Sequence, residues 1–240
     1  MTKKNILVFK HMPSQNPGIF RDFAESQNVN FIEIDLHAGD KIPDLKDFDA
    51  LWVMGGSMNV WEEDKYPWLI EEKKAIRYAV EDLKMPFLGI CLGHQLLAVA
   101  MGGKAIDTGR YEVGLFEIEP TEEGLNHPLL KNLKDSEKWV NAHLVEVIEA
   151  PKNAIILATS EHCQNHVMQL GENAYSCQFH PEVCSHTLDG WMKIPGVPDF
   201  FDELSANGID DLTSSITENL DVNNRASSVL FENWCNLVFN

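Results

Sequence analysis

A doubly wound α/β fold built on a mostly parallel sheet is the class this sequence predicts, and three observations carry it. Short apolar runs alternate with helical patterns through the N-terminal half. The runs lack a polar face, as strands covered on both sides do. Glycines or chemically reactive residues follow several of them, at the strand ends where open α/β sheets collect ligands.

The elements follow in order. Residues 6–9 form a first strand, 17–26 a short helix and 31–36 a second strand. Residues 49–54 make a third strand that ends at Gly55-Gly56. A helix over 67–84 starts with Pro67, whose fixed φ suits a first turn, and places Ile76, Ala79, Val80 and Leu83 on one face. Pro86 stops it, residues 87–90 form a strand, and a helical pattern begins just after Cys91. From Gly114 the strands shorten: 115–118, 144–148, 155–158, 167–170 and 175–179, with turns at Pro151-Lys152-Asn153 and Gly171-Glu172-Asn173. These predict a small, partly antiparallel extension that leads back to the sheet. After Asp189 comes a helical tail, with helices over 198–204, 210–220 and 226–238, the last carrying Val229, Leu230, Trp234 and Leu237 on one side. No linker stands out, so residues 1–240 read as one domain, with a core over about 5–188 and the tail over about 189–240.

The formal net charge is −18, which disfavours nucleic acid and anionic membrane surfaces as partners. Five cysteines without framework spacing point to a reduced, cytoplasmic protein. The apolar run behind Met1-Thr2-Lys3-Lys4-Asn5 is too short for a signal-peptide core. His94 and Gln95 interrupt the apolar stretch 85–101, so it reads as a buried core element rather than a membrane span.

Gly89-Ile90-Cys91-Leu92-Gly93 sits where a strand turns into a helix. This is the thiol counterpart of a nucleophile elbow, with glycines where neighbouring chain passes close to a strained turn. The helix start directs N–H groups and its positive dipole end at the sulfur, which favours thiolate. A base is available at the end of another apolar run, in Phe179-His180-Pro181-Glu182. His180 can take and return the thiol proton, and Glu182 can orient the imidazole and stabilise its charged form. The alternative reading of Cys91, a small buried hydrophobe, loses to this combination.

Gly89-Ile90-Cys91-Leu92-Gly93-His94-Gln95, Phe179-His180-Pro181-Glu182 and Val53-Met54-Gly55-Gly56-Ser57 occur here in the order found in the class I (triad) glutamine amidotransferases, which the chain resembles from about Ile6 to about Glu182. The resemblance implies a flavodoxin-like sheet, no cofactor and release of ammonia from glutamine. Cys91 would attack the side-chain amide, His180 would protonate the leaving nitrogen, and water would hydrolyse the γ-glutamyl thioester. It places oxyanion donors at the N–H groups of Gly56 and Leu92. Glutamine contacts fall at Gly55, at Gln95, at His143-Leu144 and along Tyr111-Glu112-Val113-Gly114. His94 is read as a helix-surface or supporting residue.

Two departures bear on function. Ser57 stands where many members have proline after the two glycines, and Ala142-His143-Leu144-Val145 stands where GMP synthase glutaminases carry Ser-His-Gly-Asp. The chain also lacks a Ser-Gly-Gly-x-Asp-Ser loop and a phosphate-binding Gly-x-x-x-x-Gly-Lys loop, so it does not activate a nucleotide by itself. Two roles follow for an enzyme: a glutaminase working with a separate synthetase subunit, or a free-standing hydrolase of γ-glutamyl peptides or amides. A non-catalytic regulatory relative is the competing class, opposed by the intact set of reactive residues. An oligomeric form is compatible with either role. His162, Cys163 and His166, and His180, Cys184 and His186, match no zinc spacing, so no metal is expected. Trp61-Glu62-Glu63-Asp64 reads as a solvated loop rather than a cation site.

Overall fold

The computed structural model describes residues 2–134, 136–194, 197–204 and 208–239. Its strands are β1 (Lys4–Lys10), β2 (Val29–Asp35), β3 (Ala50–Val53), β4 (Phe87–Ile90), β5 (Lys104–Pro120), β6 (Glu137–Glu149), β7 (Ala154–Thr159), β8 (Val167–Leu170) and β9 (Ala174–Cys177). They form a sheet in the order β2-β1-β3-β4-β9-β8-β7-β5-β6. The five strands from β2 to β9 run parallel. β9 pairs antiparallel with β8, β8 with β7, β7 with β5 and β5 with β6. The sheet is therefore doubly wound and mostly parallel around its centre, with an antiparallel extension.

Helices α1 (Phe20–Phe23), α2 (Trp68–Arg77), α3 (Leu92–Ala100), α4 (Glu122–Leu125), α5 (Ser185–Trp191), α6 (Val197–Leu204) and α7 (Ile209–Phe239) complete the architecture. Strand periodicity divides β1 between two cores. Leu7 and Phe9 pack with Leu69 and Ile76 of α2 and Leu96 and Leu97 of α3. Ile6 and Val8 point the other way, into a core with Phe20 of α1 and Phe231 and Trp234 of α7. Trp52 lies at the centre of that second core, edge-on to Phe20, Phe231 and Trp234 with ring centroids 5.3–5.6 Å apart. β3 and β4 are buried along their whole length and β1 over residues 6–9, which explains why these strands show no alternation in sequence.

Several boundaries differ from the sequence reading, each for a physical reason. The helix over 67–84 keeps α-geometry only to Arg77 and closes with a π-helical turn, Tyr78–Asp82, while Pro67 caps it from outside. β5 begins eleven residues ahead of the predicted 115, because the polar Asp107–Arg110 stretch is a bulge in the strand, with a register shift between Asp107 and Glu112. β6 likewise begins before 144. The helices over 210–220 and 226–238 are one 31-residue helix, α7. The intervening polar residues continue it: Asn223 hydrogen-bonds back to Asn219, and Ser227 to Asn223. α5 has no counterpart in the sequence reading. Among the described residues no helix is long and apolar enough to cross a membrane.

Candidate active site

The carboxyl ends of β1, β3, β4 and β9 meet at one crevice lined by Gly56, Cys91 and His180, with His11 buried behind Gly55-Gly56. Cys91 adopts φ 52° and ψ −104°, a conformation that a non-glycine residue occupies only under strain of about 1–3 kcal/mol. The neighbouring backbone maintains it. The Cys91 N–H donates to the Cys177 carbonyl across the β4–β9 pair, and the Cys91 carbonyl accepts from the N–H groups of His94 and Gln95. Gly93 lets α3 seat this closely: a Cβ there would lie 2.0 Å from the Val53 carbonyl oxygen.

His180 follows β9, and its Nδ1 lies 2.7 Å from Glu182 Oε1, with both side chains buried. The other ring nitrogen is free of Glu182, and both His180 and Cys91 line the same cavity. Burial opposes charge on His180, but Glu182 and Cys91 outweigh it and raise its pKa to about 10. The segment is gripped from both sides. The Ile19 N–H donates to the Glu182 carbonyl, and Ser227 Oγ of α7 donates to the Pro181 carbonyl at 2.5 Å. Trp191 stands edge-on to the His180 ring, 5.0 Å between centroids.

Cys91, Gln95, His143, Leu144, Gly56 and His180 line a cavity of about 450 Å³. Gly55 adjoins it, since a Cβ there would come within 3.0 Å of the His180 ring, and Leu92 packs against Gly56. Its far wall, Trp191, Ile194, Val197 and Phe201, comes from the C-terminal tail and is apolar. No Lys, Arg, Asp or Glu is among the described lining residues.

Other expectations are corrected. His94 is not on a surface: it is fully buried, donates or accepts at Ser176 Oγ, and its pKa is pushed down to about 3 by burial and by His166 and His143. Its ring is therefore neutral. The Gln95 amide nitrogen is committed to the Val145 carbonyl and Gln178 Oε1, so any ligand would meet its oxygen. His143 lies within β6 rather than in a loop, and its Nε2 is turned to Glu112. Tyr111–Gly114 belongs to β5, and none of these residues is among those lining the cavity. The His162 and Cys184 groupings do not form. Instead Glu112, His143 and His166 place ligand atoms within 4.8 Å of one another. That set is a closed hydrogen-bonded network: Glu112 accepts from both Nε2 atoms and from Ser160. Neither imidazole has a partner at Nδ1, where a metal-bound histidine ordinarily donates to a carboxylate or carbonyl. Burial pushes the Glu112 carboxyl up, but these donors win and hold it well below the usual carboxylate range.

Residues 14–192 match the family model described as glutamine amidotransferase class-I. This chain belongs to that family. The amidotransferase is 36% identical over 153 residues to a glutamine-hydrolysing GMP synthase subunit from Sulfolobus acidocaldarius, covering 62% of this chain and 74% of that one. It is 30% identical over 187 residues to a glutamine amidotransferase-like protein of Salmonella typhimurium, covering 76% and 77%. A glutamine amidotransferase structure from Thermotoga maritima superposes with a TM-score of 0.84 at 26% identity, over 98% of this chain and 99% of that one.

Sequence reasoning did not find His11, Glu72 or Trp191. His11 follows the first strand directly, at the edge where the other candidates lie, and that position was the available signal. Trp191 had none, since the fold of the tail had to be known first.

Proposed function

We propose that this amidotransferase hydrolyses the side-chain amide of glutamine through a thioester on Cys91. The observation that carries the reading is the strained Cys91 turn facing a buried His180–Glu182 pair across one cavity. The thiolate attacks the amide carbon while His180 holds the proton it received from sulfur. Negative charge moves to the carbonyl oxygen, where the N–H groups of Gly56 and Leu92 are the proposed donors. The intermediate collapses, the C–N bond breaks, and His180 passes its proton to the departing nitrogen, releasing ammonia. Water then gives a proton to the same imidazole and attacks the thioester, and glutamate leaves as the thiol is restored. Glu182 stabilises the imidazolium at both stages. Gly55, the Gln95 oxygen and the His143-Leu144 backbone are the proposed glutamine contacts.

A second reading is favoured by the tail. The chain itself closes the cavity of about 450 Å³ with this apolar wall. A γ-glutamyl amide whose amine carries an apolar group would fill it, with the amine replacing ammonia as leaving group. The superposition on the Thermotoga structure extends over 98% of this chain, so the tail that supplies this wall is part of the shared fold. Ammonia and amine release by the purified chain from glutamine and a panel of γ-glutamyl amides tests both readings. Turnover of γ-glutamyl amides above that of glutamine is expected for the hydrolase. Glutamine turnover that rises only when a separate synthetase is added would contradict it, and no release from any substrate would contradict both.

A further inference from the structure

A buried imidazole–carboxylate pair stands behind the Gly55-Gly56 turn. His11 Nδ1 lies 2.8 Å from the Gly55 carbonyl oxygen, and His11 Nε2 lies 2.8 Å from Glu72 Oε1. Both side chains are wholly buried, and the His11 ring stacks on Trp68 at 5.4 Å and 11°. A carbonyl only accepts, so Nδ1 carries hydrogen, and Glu72 at Nε2 supports a second one. Although burial disfavours the charged ring, Glu72 and the backbone carbonyls of Gly55 and Met54 raise its pKa above the ordinary value.

The Gly55 carbonyl and the Gly56 N–H are opposite ends of one planar peptide unit and point in opposite directions. Fixing the oxygen on His11 therefore fixes the direction of the N–H. Gly56 lines the cavity of Cys91, and its N–H has no protein acceptor among the described residues. The turn is also wedged: a Cβ on Gly56 would meet Leu92 Cδ2 at 2.8 Å and His11 Cβ at 3.0 Å. A hydrogen bond from a charged donor to the carbonyl polarises the same peptide unit and strengthens its N–H as a donor.

We propose that His11, anchored on Glu72, is a positioning residue that aims the Gly56 N–H at the oxyanion formed on Cys91. This rests on the reading that Cys91 attacks an amide. His11 need not touch substrate; it acts through one peptide plane.

The test uses two substitutions that separate the ring nitrogens. In His11→Asn the amide nitrogen stands near the place of Nδ1 and can still reach the Gly55 carbonyl. In His11→Gln it stands near Nε2 and keeps only the Glu72 contact. For His11→Gln, kcat for amide hydrolysis is expected to fall about tenfold to hundredfold, less than the 10²–10³ of a donor removed outright. KM should stay within about threefold, and His11→Asn should recover at least part of the loss. Alkylation of Cys91 by iodoacetamide forms no tetrahedral oxyanion, so its rate should stay within about twofold in both variants. Should His11→Gln not fold, Glu72→Gln carries the test, with kcat expected to drop about threefold to tenfold at an unchanged alkylation rate. The inference is overturned if kcat is unchanged, if alkylation slows in step with it, or if the two His11 variants behave alike while the wild type is active. A wild type inactive on every amide overturns the hydrolytic reading, and this inference with it.

Discussion

Gly93→Ala tests the link between packing and chemistry most sharply. The new Cβ would stand 2.0 Å from the Val53 carbonyl oxygen and 2.7 Å from its carbon, both backbone atoms that no side-chain rotation can move. A carbon–oxygen contact needs about 3.3 Å, so α3 must retreat from β3 by about 1.3 Å. Overpacking of this kind costs about 1–3 kcal/mol, or about 2–4 °C of Tm per kcal/mol in a domain of this size. Because Cys91 is the N-cap residue of α3, the same retreat carries the sulfur and the Leu92 N–H away from His180 and Gly56. A misplacement of about 1 Å costs about 100-fold in rate, so kcat/KM for amide hydrolysis should fall by at least that factor. Calorimetry and steady-state ammonia release read the two effects on the same sample. Wild-type Tm together with kcat/KM within about threefold would refute the reasoning. A stability loss with the rate retained would show that the position of the elbow does not limit the chemistry.

Two further outcomes follow from the buried charges. Glu182→Gln should bring the His180 titration, followed by NMR, from about 10 toward its ordinary 6.5, because burial is then opposed by Cys91 without the carboxylate. A raised folded pKa contributes stability in full below about pH 6.5 and loses it as pH rises through about 10, so the variant should lack this alkaline loss of stability. An unmoved His180 titration would disprove the pairing. Glu112→Gln removes a carboxylate that accepts from His143, His166 and Ser160, and should cost roughly 3–5 kcal/mol by urea unfolding. A depressed folded pKa contributes stability above the ordinary value of 4.5 and loses it as pH falls through the depressed value, so the acid side of the stability profile should flatten.

What could be read from the sequence was local. The strands 87–90 and 167–170 match β4 and β8, and the short runs around Cys91 and His180 placed both residues at strand ends. The antiparallel extension was harder, because β5 and β6 turn Glu112, Asn141, His143 and Glu146 inward, and all four are buried. Polar residues on an inner face cancel the alternation by which a half-buried strand is recognised. The His11–Glu72 pair joins positions 61 residues apart, so nothing local announced it. The wall made by Trp191, Ile194, Val197 and Phe201 depends on the tertiary placement of the tail, and a long-range contact of that kind leaves no periodic trace.

A glutamine-like diazo-ketone offers the most direct test, read as the mass of the intact protein followed by peptide mapping. One γ-glutamyl-analogue adduct on Cys91, formed by the wild type and lost in His180→Ala, is the predicted result. Wild-type protein that stays unlabelled while an active amidotransferase labels under the same conditions would contradict it, as would an adduct on Cys163, Cys177, Cys184 or Cys235 in place of Cys91.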